Sequence, residues 1–383
     1  MTVFDRLVGQ GPSVALLSAA ARAERTGHAF LLVGPPGSGR SVAATAFAAA
    51  LQCADRSGCG ECEGCRATLA GSHPDVTTVV TEAVSIGVKE CRELVVKAAM
   101  SPVLGRQQAL IVTDADRLTE TAADALLKAL EEPAPRTVWM LCAPTVDDVP
   151  VTVRSRCRVV TLRTPPYEAV AAMLIGDGVD EPVAHFAARA AQGHIGRARA
   201  LASLEDVRTR RREVLQVPVQ LLGCDMPGCL QAAANIVEAA QADAAASAER
   251  ADAHDKDHLR SSLGFAEEKA SSRHVRQAMR EMEDRQKART RRLQRDALDR
   301  ALLDLSAFYR DVLVVRLDPA RADSRSDLIN AEMKSDVARV AADLTAGQAL
   351  RCTAAITTCR ERLEANVNPL IAFEALMVAI RTA

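Results

Sequence analysis

The sequence predicts an α/β domain with a mostly parallel, doubly wound sheet, followed by helical regions. Short apolar runs of strand length alternate with amphipathic helical patterns in the first part of the chain, which is typical of βαβ units. Further along, Gly and Pro become sparse while Ala, Leu, Arg and Glu dominate, as in helical bundles. Because 383 residues exceed one ordinary core, we expect two or three domains.

Three apolar runs mark the strands of the predicted sheet. The run 28–33 precedes a glycine-rich loop and an Ala-rich stretch, which predicts a strand, a phosphate loop and a helix in that order. The run 109–113 ends in Asp114, and the run 138–142 follows an amphipathic helical pattern. Strands that alternate with helices in this way favour a parallel sheet.

Two consecutive prolines place the first domain boundary. Thr164-Pro165-Pro166 lacks backbone donors at its prolines and holds the preceding residue extended. We therefore expect a core at 1–165, a small helical module at 166–205 and a helical domain at 206–383. No proline or polar linker marks the second boundary. A charged helical insertion near 240–300 is expected within the last domain.

Charge is unevenly distributed in that last domain. Residues 238–258 carry six acids and two bases, net −4, whereas residues 273–300 carry ten bases and five acids, net +5. Such blocks usually form a solvated helix pair or a linker, and nucleic-acid binding by the basic block is the alternative. The whole chain has a formal net charge of −1, which gives no electrostatic reason to expect strong DNA binding by the chain alone.

The sequence also predicts the cellular compartment of the protein. The N-terminal residues lack a basic region followed by an apolar run, and no stretch approaches the roughly 18 apolar residues of a membrane span. We therefore expect a cytoplasmic protein with no membrane partner. Its eleven cysteines then favour metal ligands or buried thiols over disulfides.

A degenerate phosphate loop follows the first predicted strand. Gly34, Gly37 and Gly39, with Arg40 and Ser41 at the cation and hydroxyl positions, reproduce the spacing of a P-loop. Such glycines let backbone N–H groups face phosphate oxygens, and the helix N-terminus adds its dipole. Arginine replaces the expected lysine, and its wide planar guanidinium suits a tight loop less well. The sequence predicts an NTPase fold, and leaves open whether ATP or ADP with Mg²⁺ binds.

The acidic half of the predicted nucleotide site lacks a residue to activate water. Asp114 offers a carboxylate for Mg²⁺, but Ala115 follows where this ATPase class carries glutamate. Asp116 is one residue late, and on an extended segment a shift of one residue turns the side chain to the opposite face. We expect no independent hydrolysis. The alternative is turnover supported by Arg40 and Asp114, with Asp116 reaching the water after local distortion.

Four cysteines predict a structural zinc site. Cys53, Cys59, Cys62 and Cys65 are separated by five, two and two residues, with glycines between them. Four thiolates close a tetrahedral shell and leave no position for water or substrate. We therefore expect the metal to stabilise an insertion near 53–65 rather than to take part in catalysis. A redox centre is the alternative.

Several motifs together resemble the bacterial clamp loader, a family of AAA+ proteins. They are His28-Ala29-Phe30 before the phosphate loop, the inserted cysteines, the run Leu126 to Pro133, and Ser155-Arg156-Cys157. The likeness covers residues 1 to about 205, and Asn366 to Pro369 resembles the end of the family's last domain. The resemblance implies an AAA+ core, a helical lid at 166–205 and an oligomerising helical collar at 206–383.

The resemblance also implies partners and a role for one arginine. In that family, five subunits form a spiral around primer-template DNA, and the arginine of Ser-Arg-Cys reaches ATP bound to the adjacent subunit. Carried over, Arg156 is an arginine finger that acts in trans. A basic surface ridge of Arg154, Arg156 and Arg158 is the alternative. The implied partners are the gamma/tau and delta subunits of a hetero-pentamer, the sliding clamp, and primer-template DNA through the assembled complex.

Losses at ATPase positions indicate the subunit type. Motor subunits of the family carry lysine, glutamate, a sensor threonine and a lid arginine where this chain has Arg40, Ala115, Ala143 and Gly196, with Arg197 one position later. Repeated loss with the finger retained resembles the delta-prime type. Such a subunit helps to load the clamp during DNA replication without independent catalysis, as part of the DNA polymerase III holoenzyme, a nucleotidyltransferase. The alternative is a gamma/tau-type motor ATPase.

Overall fold

The chain divides into two units, Met1–Ser203 and Leu204–Ala383. The computed structural model describes residues 2–24, 26–80, 85–263, 273–318 and 328–383. Each unit has a hydrophobic core of its own. The finer division at 165 and 205 stays a prediction. Within the described residues, no helix is both long enough and apolar enough to cross a membrane.

A five-stranded sheet forms the centre of the first unit. Its strands are β1 (Ala29–Val33), β2 (Val76–Val79), β3 (Gln108–Val112), β4 (Thr137–Ala143) and β5 (Arg158–Thr161). They lie in the order β2-β3-β4-β1-β5, and all neighbours are parallel. The three central strands are buried along their whole length, which is why they are continuous apolar runs in the sequence.

Helices pack on both faces of the sheet, and three more helices of this unit follow the last strand. They are α1 (Gly11–Arg22), α2 (Arg40–Gln52), α3 (Glu63–Leu69), α4 (Val88–Ala98), α5 (Glu120–Glu131), α6 (Val151–Arg154), α7 (Tyr167–Gly176), α8 (Glu181–Ala190) and α9 (Ile195–Ser203). Alternate residues of each strand serve opposite faces. Phe30 and Leu32 belong to the core beneath α1 and α2, whereas Leu31 and Val33 belong to the core beneath α4 and α5.

The second unit is helical. It contains α10 (Glu205–Leu221), α11 (Met226–Leu263), α12 (Arg273–Leu317), α13 (Lys334–Asp343), α14 (Ala346–Glu364) and α15 (Pro369–Arg381). Together, the parallel α/β unit and this helical unit confirm the predicted fold class. The acidic and basic blocks lie in α11 and α12. The side chains of 250–279 lie outside the described residues, so binding of nucleic acid by the basic block stays a prediction.

A buried arginine connects three parts of the second unit. Arg211 of α10 is 5% exposed, and its Nε lies 3.3 Å from an Asp304 oxygen on α12. Its two Nη atoms donate to Glu332 and to Asn330. Asp311 in turn accepts from the Asn330 backbone N–H at 2.7 Å. This network fixes the segment before α13 to the two helices, because each buried charge needs its partners.

Candidate functional site

The phosphate loop, residues 34–39, connects the C-terminal end of β1 to α2. Gly37 and Gly39 have φ values of 83° and 92°, which residues with a side chain rarely adopt. A Cβ on Gly37 would lie 2.3 Å from Cγ of His194, the residue before α9. His194 therefore packs directly on the loop, and this position accepts only glycine.

Two polar groups in and beside the loop are buried without a hydrogen-bond partner among the described residues. They are Ser38 Oγ and Arg40 Nη1. A buried polar group left unpaired costs about 1–3 kcal/mol. An anion in the loop would pair with such groups, and phosphate is the anion that a loop before a helix N-terminus suits. The residues present therefore fit a nucleotide phosphate.

Acidic residues follow β3 at the C-terminal ends of the strands, where the phosphate loop also lies. Ala115–Arg117 form a short 3-10 turn, so the expectation of an extended segment that turns Asp116 to the opposite face is wrong. Burial raises the pKa of the Asp116 carboxyl, the charge of Asp114 adds to this, and the cation of Arg40 opposes it. Asp116 therefore lies within electrostatic reach of both other charges.

Two positions at the C-terminal ends of the strands carry alanine. Ala115 and Ala143 are completely buried. Ala143 ends β4, and its carbonyl accepts a hydrogen bond from the Gly34 N–H at 3.3 Å, which places it beside the phosphate loop. Neither methyl group can donate, accept or take up a proton. The C-terminal ends of the strands therefore hold carboxylates and a cation, but no glutamate directly after Asp114.

Arg156 lies near the N-terminal ends of the strands. It comes two residues before β5, which runs parallel to β1 with Arg158 paired to Phe30. Arg156 therefore lies near the N-terminal ends of β1 and β5, whereas the phosphate loop follows the C-terminal end of β1. At about 3.3 Å per residue, the length of β1 separates these two ends by roughly 13 Å. The guanidinium is therefore not part of the phosphate-loop site of its own chain.

Three acceptors hold the Arg156 guanidinium. Nη1 donates to the Thr152 carbonyl at 2.5 Å and to Ser155 Oγ at 3.1 Å. Nη2 donates to the carboxylate of Glu131, the last residue of α5. The arginine side chain is nevertheless 33% exposed. It is therefore a surface cation with a defined position.

The neighbouring arginines do not form an open basic ridge with Arg156. Arg154 pairs with Asp147 at 2.5 Å, and Arg156 pairs with Glu131. Arg158 is exposed. Two of the three positive charges thus have carboxylate partners, which weakens the attraction of this surface for anions in general.

The four predicted metal ligands, Cys53, Cys59, Cys62 and Cys65, converge between α2 and α3. All four sulfur atoms lie within 4.8 Å of one another. The Sγ of Cys53 is 3.7 Å from that of Cys59 and 3.9 Å from that of Cys62. A tetrahedron with Zn–S bonds of about 2.3 Å has sulfurs about 3.8 Å apart. The cluster is therefore compatible with zinc.

Backbone amides support the cluster. The Cys62 and Cys65 N–H groups each donate to the preceding ligand sulfur at 3.4 Å. Burial raises the pKa of the Cys53 thiol, but backbone hydrogen bonds from Cys59 and Asp55 outweigh this and lower it to about 6. At Cys65, burial prevails and raises the pKa. The protons released on metal binding would therefore include that of Cys65.

The insertion is packed against its surroundings rather than open. A Cβ on Gly64 would lie 2.4 Å from the carbonyl oxygen of Gln52, so α3 and the end of α2 touch through a glycine. The Val3 N–H donates to the Gly58 carbonyl at 2.8 Å. These contacts hold the insertion against α2 and the N-terminal residues, as expected of a structural element.

Comparison with known proteins finds relatives for the first half of the chain. The family described as "DNA polymerase III, delta subunit" matches residues 9–166. The DNA polymerase III subunit delta' of Escherichia coli is 38% identical over 162 residues, which cover 41% of this chain and 48% of the relative. Residues 9–166 are thus similar to clamp-loader subunits of the delta-prime type. The delta' subunit of Yersinia pestis is 40% identical over 135 residues, 34% of this chain and 40% of the relative.

The first half of the chain is also similar to gamma/tau subunits. The DNA polymerase III subunit gamma/tau of Mycobacterium tuberculosis (strain H37Rv) is 33% identical over 200 residues, covering 50% of this chain and 35% of the relative. The matches span less than half of each of these relatives. The resemblance to clamp-loader subunits is confirmed, whereas the roles of individual site residues stay predictions.

Two residues of the site were missed from the sequence. Glu131 is the partner of Arg156, and His194 covers Gly37. Glu131 belongs to a run that carried the resemblance, but nothing in its spacing singles it out from Glu132. His194 stands far from the phosphate loop in sequence, and only the fold brings it there.

Proposed function

We propose that this chain is a delta-prime-type subunit of the DNA polymerase III clamp loader. It does not hydrolyse ATP by itself, and it supplies Arg156 to ATP bound by an adjacent subunit. The observation that carries this proposal is the position of Arg156, at the surface and near the opposite end of β1 from its own phosphate loop. An arginine finger in that place would serve a site in another chain.

The chemistry divides between two chains. A guanidinium that enters from outside neutralises the charge that develops on the transferred phosphoryl group, an effect worth about 10³- to 10⁵-fold in related systems. The adjacent subunit supplies the base and the metal ligand, which explains why Ala115 is tolerated here. The partners proposed are the gamma/tau and delta subunits of a hetero-pentamer, the sliding clamp, and primer-template DNA through the complex.

ATP or ADP with Mg²⁺ bound in this chain would have a structural role. Gly34, Gly37 and Gly39 would face the phosphates, with Arg40 and Ser41 at the start of α2. Asp114 would serve the metal ion. Support comes from the buried groups Ser38 Oγ and Arg40 Nη1. With Ala115 in place of a glutamate, bound nucleotide would stiffen the loop rather than turn over.

Zinc is the metal proposed for Cys53, Cys59, Cys62 and Cys65. Thiolate donors at these sulfur separations suit Zn²⁺, and a four-thiolate shell leaves no open position for chemistry. The ion would hold the end of α2 against α3. Its contribution is to the stability of the first unit.

A gamma/tau-type motor ATPase is the second candidate. Asp116 lies near both Asp114 and Arg40, and burial raises its pKa, which is the environment of a general base. The relation to gamma/tau subunits points the same way. Under this candidate the chain turns over ATP itself, with Asp116 activating the water.

The two candidates are separated by ATP hydrolysis in the purified chain. We expect radiolabelled ATP to show no turnover above that of Asp114→Ala, and no change on Asp116→Ala. Asp124→Ala, an exposed acid on α5, is the control for protein quality. Sustained turnover that both Asp114→Ala and Asp116→Ala abolish would establish the motor subunit instead.

A further inference from the structure

We propose that Glu131 is a positioning residue for the finger, one that holds the Arg156 guanidinium in the orientation that the neighbouring ATP site requires. This inference rests on the proposed action of Arg156 in trans. Its basis is the ion pair between the last residue of α5 and the turn that follows α6. No motif in the sequence assigns this carboxylate a role.

The guanidinium is held from two directions. Nη1 is bound by groups of its own turn, the Thr152 carbonyl and Ser155 Oγ. Nη2 is bound by Glu131, which belongs to a different element. An exposed arginine otherwise samples many rotamers, and most of them point the planar group away from any one target. Contact from α5 restricts this sampling before the subunits meet.

The contacts also leave donors of the guanidinium available. A guanidinium has five N–H groups. The contacts to Thr152, Ser155 and Glu131 use three, two on Nη1 and one on Nη2. The Nε–H and one N–H of Nη2 have no acceptor within the described residues. Guanidinium N–H groups form strong, charge-assisted hydrogen bonds with phosphate oxygens. Glu131 therefore orients the cation without using all of its donors.

Glu132 provides a matched control. It carries the same charge one residue later and is exposed, and its side chain makes no hydrogen bond or ion pair within the described part of the chain. A general effect of negative charge near the finger would be the same for both residues. An effect of position would belong to Glu131 alone.

The test is ATP hydrolysis by the reconstituted clamp loader with Glu131→Gln in this chain only. We expect kcat to fall about three- to tenfold with KM for ATP nearly unchanged, because misorientation weakens contacts made in the transition state. Glu131→Asp should restore part of the rate. Glu132→Gln should leave kcat and KM as they are.

The design separates failure of the inference from failure of the proposed function. If Arg156→Ala has no effect, the action in trans is wrong and the role of Glu131 with it. If Arg156→Ala lowers kcat but Glu131→Gln leaves it unchanged or raises it, only the positioning role is wrong. Combined with Arg156→Ala, Glu131→Gln should cause no further loss, and a further loss would show that Glu131 acts elsewhere.

Discussion

Individual residues determine the chemistry that is available beside the phosphate loop, at the C-terminal ends of the strands. Arg40 brings a cation where this loop type carries lysine, and its Nη1 is buried without a partner in the described residues. Asp116 lies closer to the site than the sequence suggested, since a 3-10 turn replaces an extended segment. Ala115 nevertheless cannot polarise water. This end of the sheet therefore carries groups that would suit a phosphate, with alanine at the position where an active ATPase has glutamate.

Gly37 tests whether the contact with His194 stabilises the first unit. Gly37→Ala should destabilise it by more than the cost of about 1–2 kcal/mol for a left-handed residue, because the new methyl meets His194 at 2.3 Å. Gly178→Ala is the control, since Gly178 has a φ of 89° but open space around it. Thermal unfolding measures both. Equal losses would show that packing against His194 contributes nothing.

Cys59 tests the metal site. Cys59→Ser removes one of four thiolates, so we expect zinc content measured by mass spectrometry to fall from about one per chain to near zero. Cys224→Ser, in the second unit, should keep its zinc. Affinity should fall as the pH is lowered, because protons compete with the metal and burial raises the pKa of Cys65. Full zinc content in Cys59→Ser would contradict the assignment.

At the scale of elements, buried strands were predictable and edge strands were not. β1, β3 and β4 are buried throughout, so their sequences are unbroken apolar runs. The edge strands β2 and β5 are short and partly exposed, and they give no such signal. The glycine spacing of the loop and the cysteine spacing also predicted where those residues converge.

The pair between Arg156 and Glu131 shows why the rest of the site could not be predicted. The two residues are 25 positions apart, and their contact depends on how α5 packs beside α6. Packing of this kind leaves no periodicity in one sequence, because each residue is locally an ordinary surface charge. The same holds for His194 on Gly37.

Asp75 connects the start of β2 to the loop before β3, and this contact carries a prediction on pH. This buried carboxylate, next to β2, accepts from the N–H groups of Val103, Leu104 and Gly105 at 2.6, 2.8 and 2.5 Å. Burial alone would raise the pKa of the Asp75 carboxyl, but these bonds outweigh it and lower the pKa. The ionised form therefore stabilises the fold.

Asp75→Asn should destabilise the first unit by about 2–4 kcal/mol, because an amide replaces a charged acceptor of three bonds. The stabilisation from Asp75 is complete above the unfolded pKa of 3.8 and is lost as the pH falls through the lower folded value. Denaturant unfolding between pH 7 and pH 3 measures this, with Asp124→Asn as an exposed control. A difference between wild type and Asp75→Asn that is the same at both pH values would contradict it.

On the scale of the whole molecule, the two units have separate cores and should respond separately to mutation. Arg211→Ala removes the buried cation that pairs with Asp304, so we expect the second unit to lose about 3–5 kcal/mol. Zinc content and hydrogen exchange in the first unit should not change. Arg212→Ala, the exposed neighbour, is the control. Faster exchange throughout both units would show that they unfold together.

The role proposed for the whole molecule depends on its assembly with other subunits. The relatives are subunits of DNA polymerase III, and Arg156 lies near the opposite end of β1 from the phosphate loop of this chain. A subunit with the proposed role would contribute to ATP hydrolysis without performing it. Its effect would then be visible only in the complex.

The most direct measurement is ATP hydrolysis by the reconstituted clamp loader on primed DNA with the clamp, with Arg156→Ala in this chain alone. We predict a large fall in kcat while assembly stays intact, because the adjacent site loses a cation that stabilises its transition state. Arg158→Ala, an exposed arginine two residues later, should keep the wild-type rate. An unchanged rate for Arg156→Ala would contradict the account, since Arg156 would then be an ordinary surface residue.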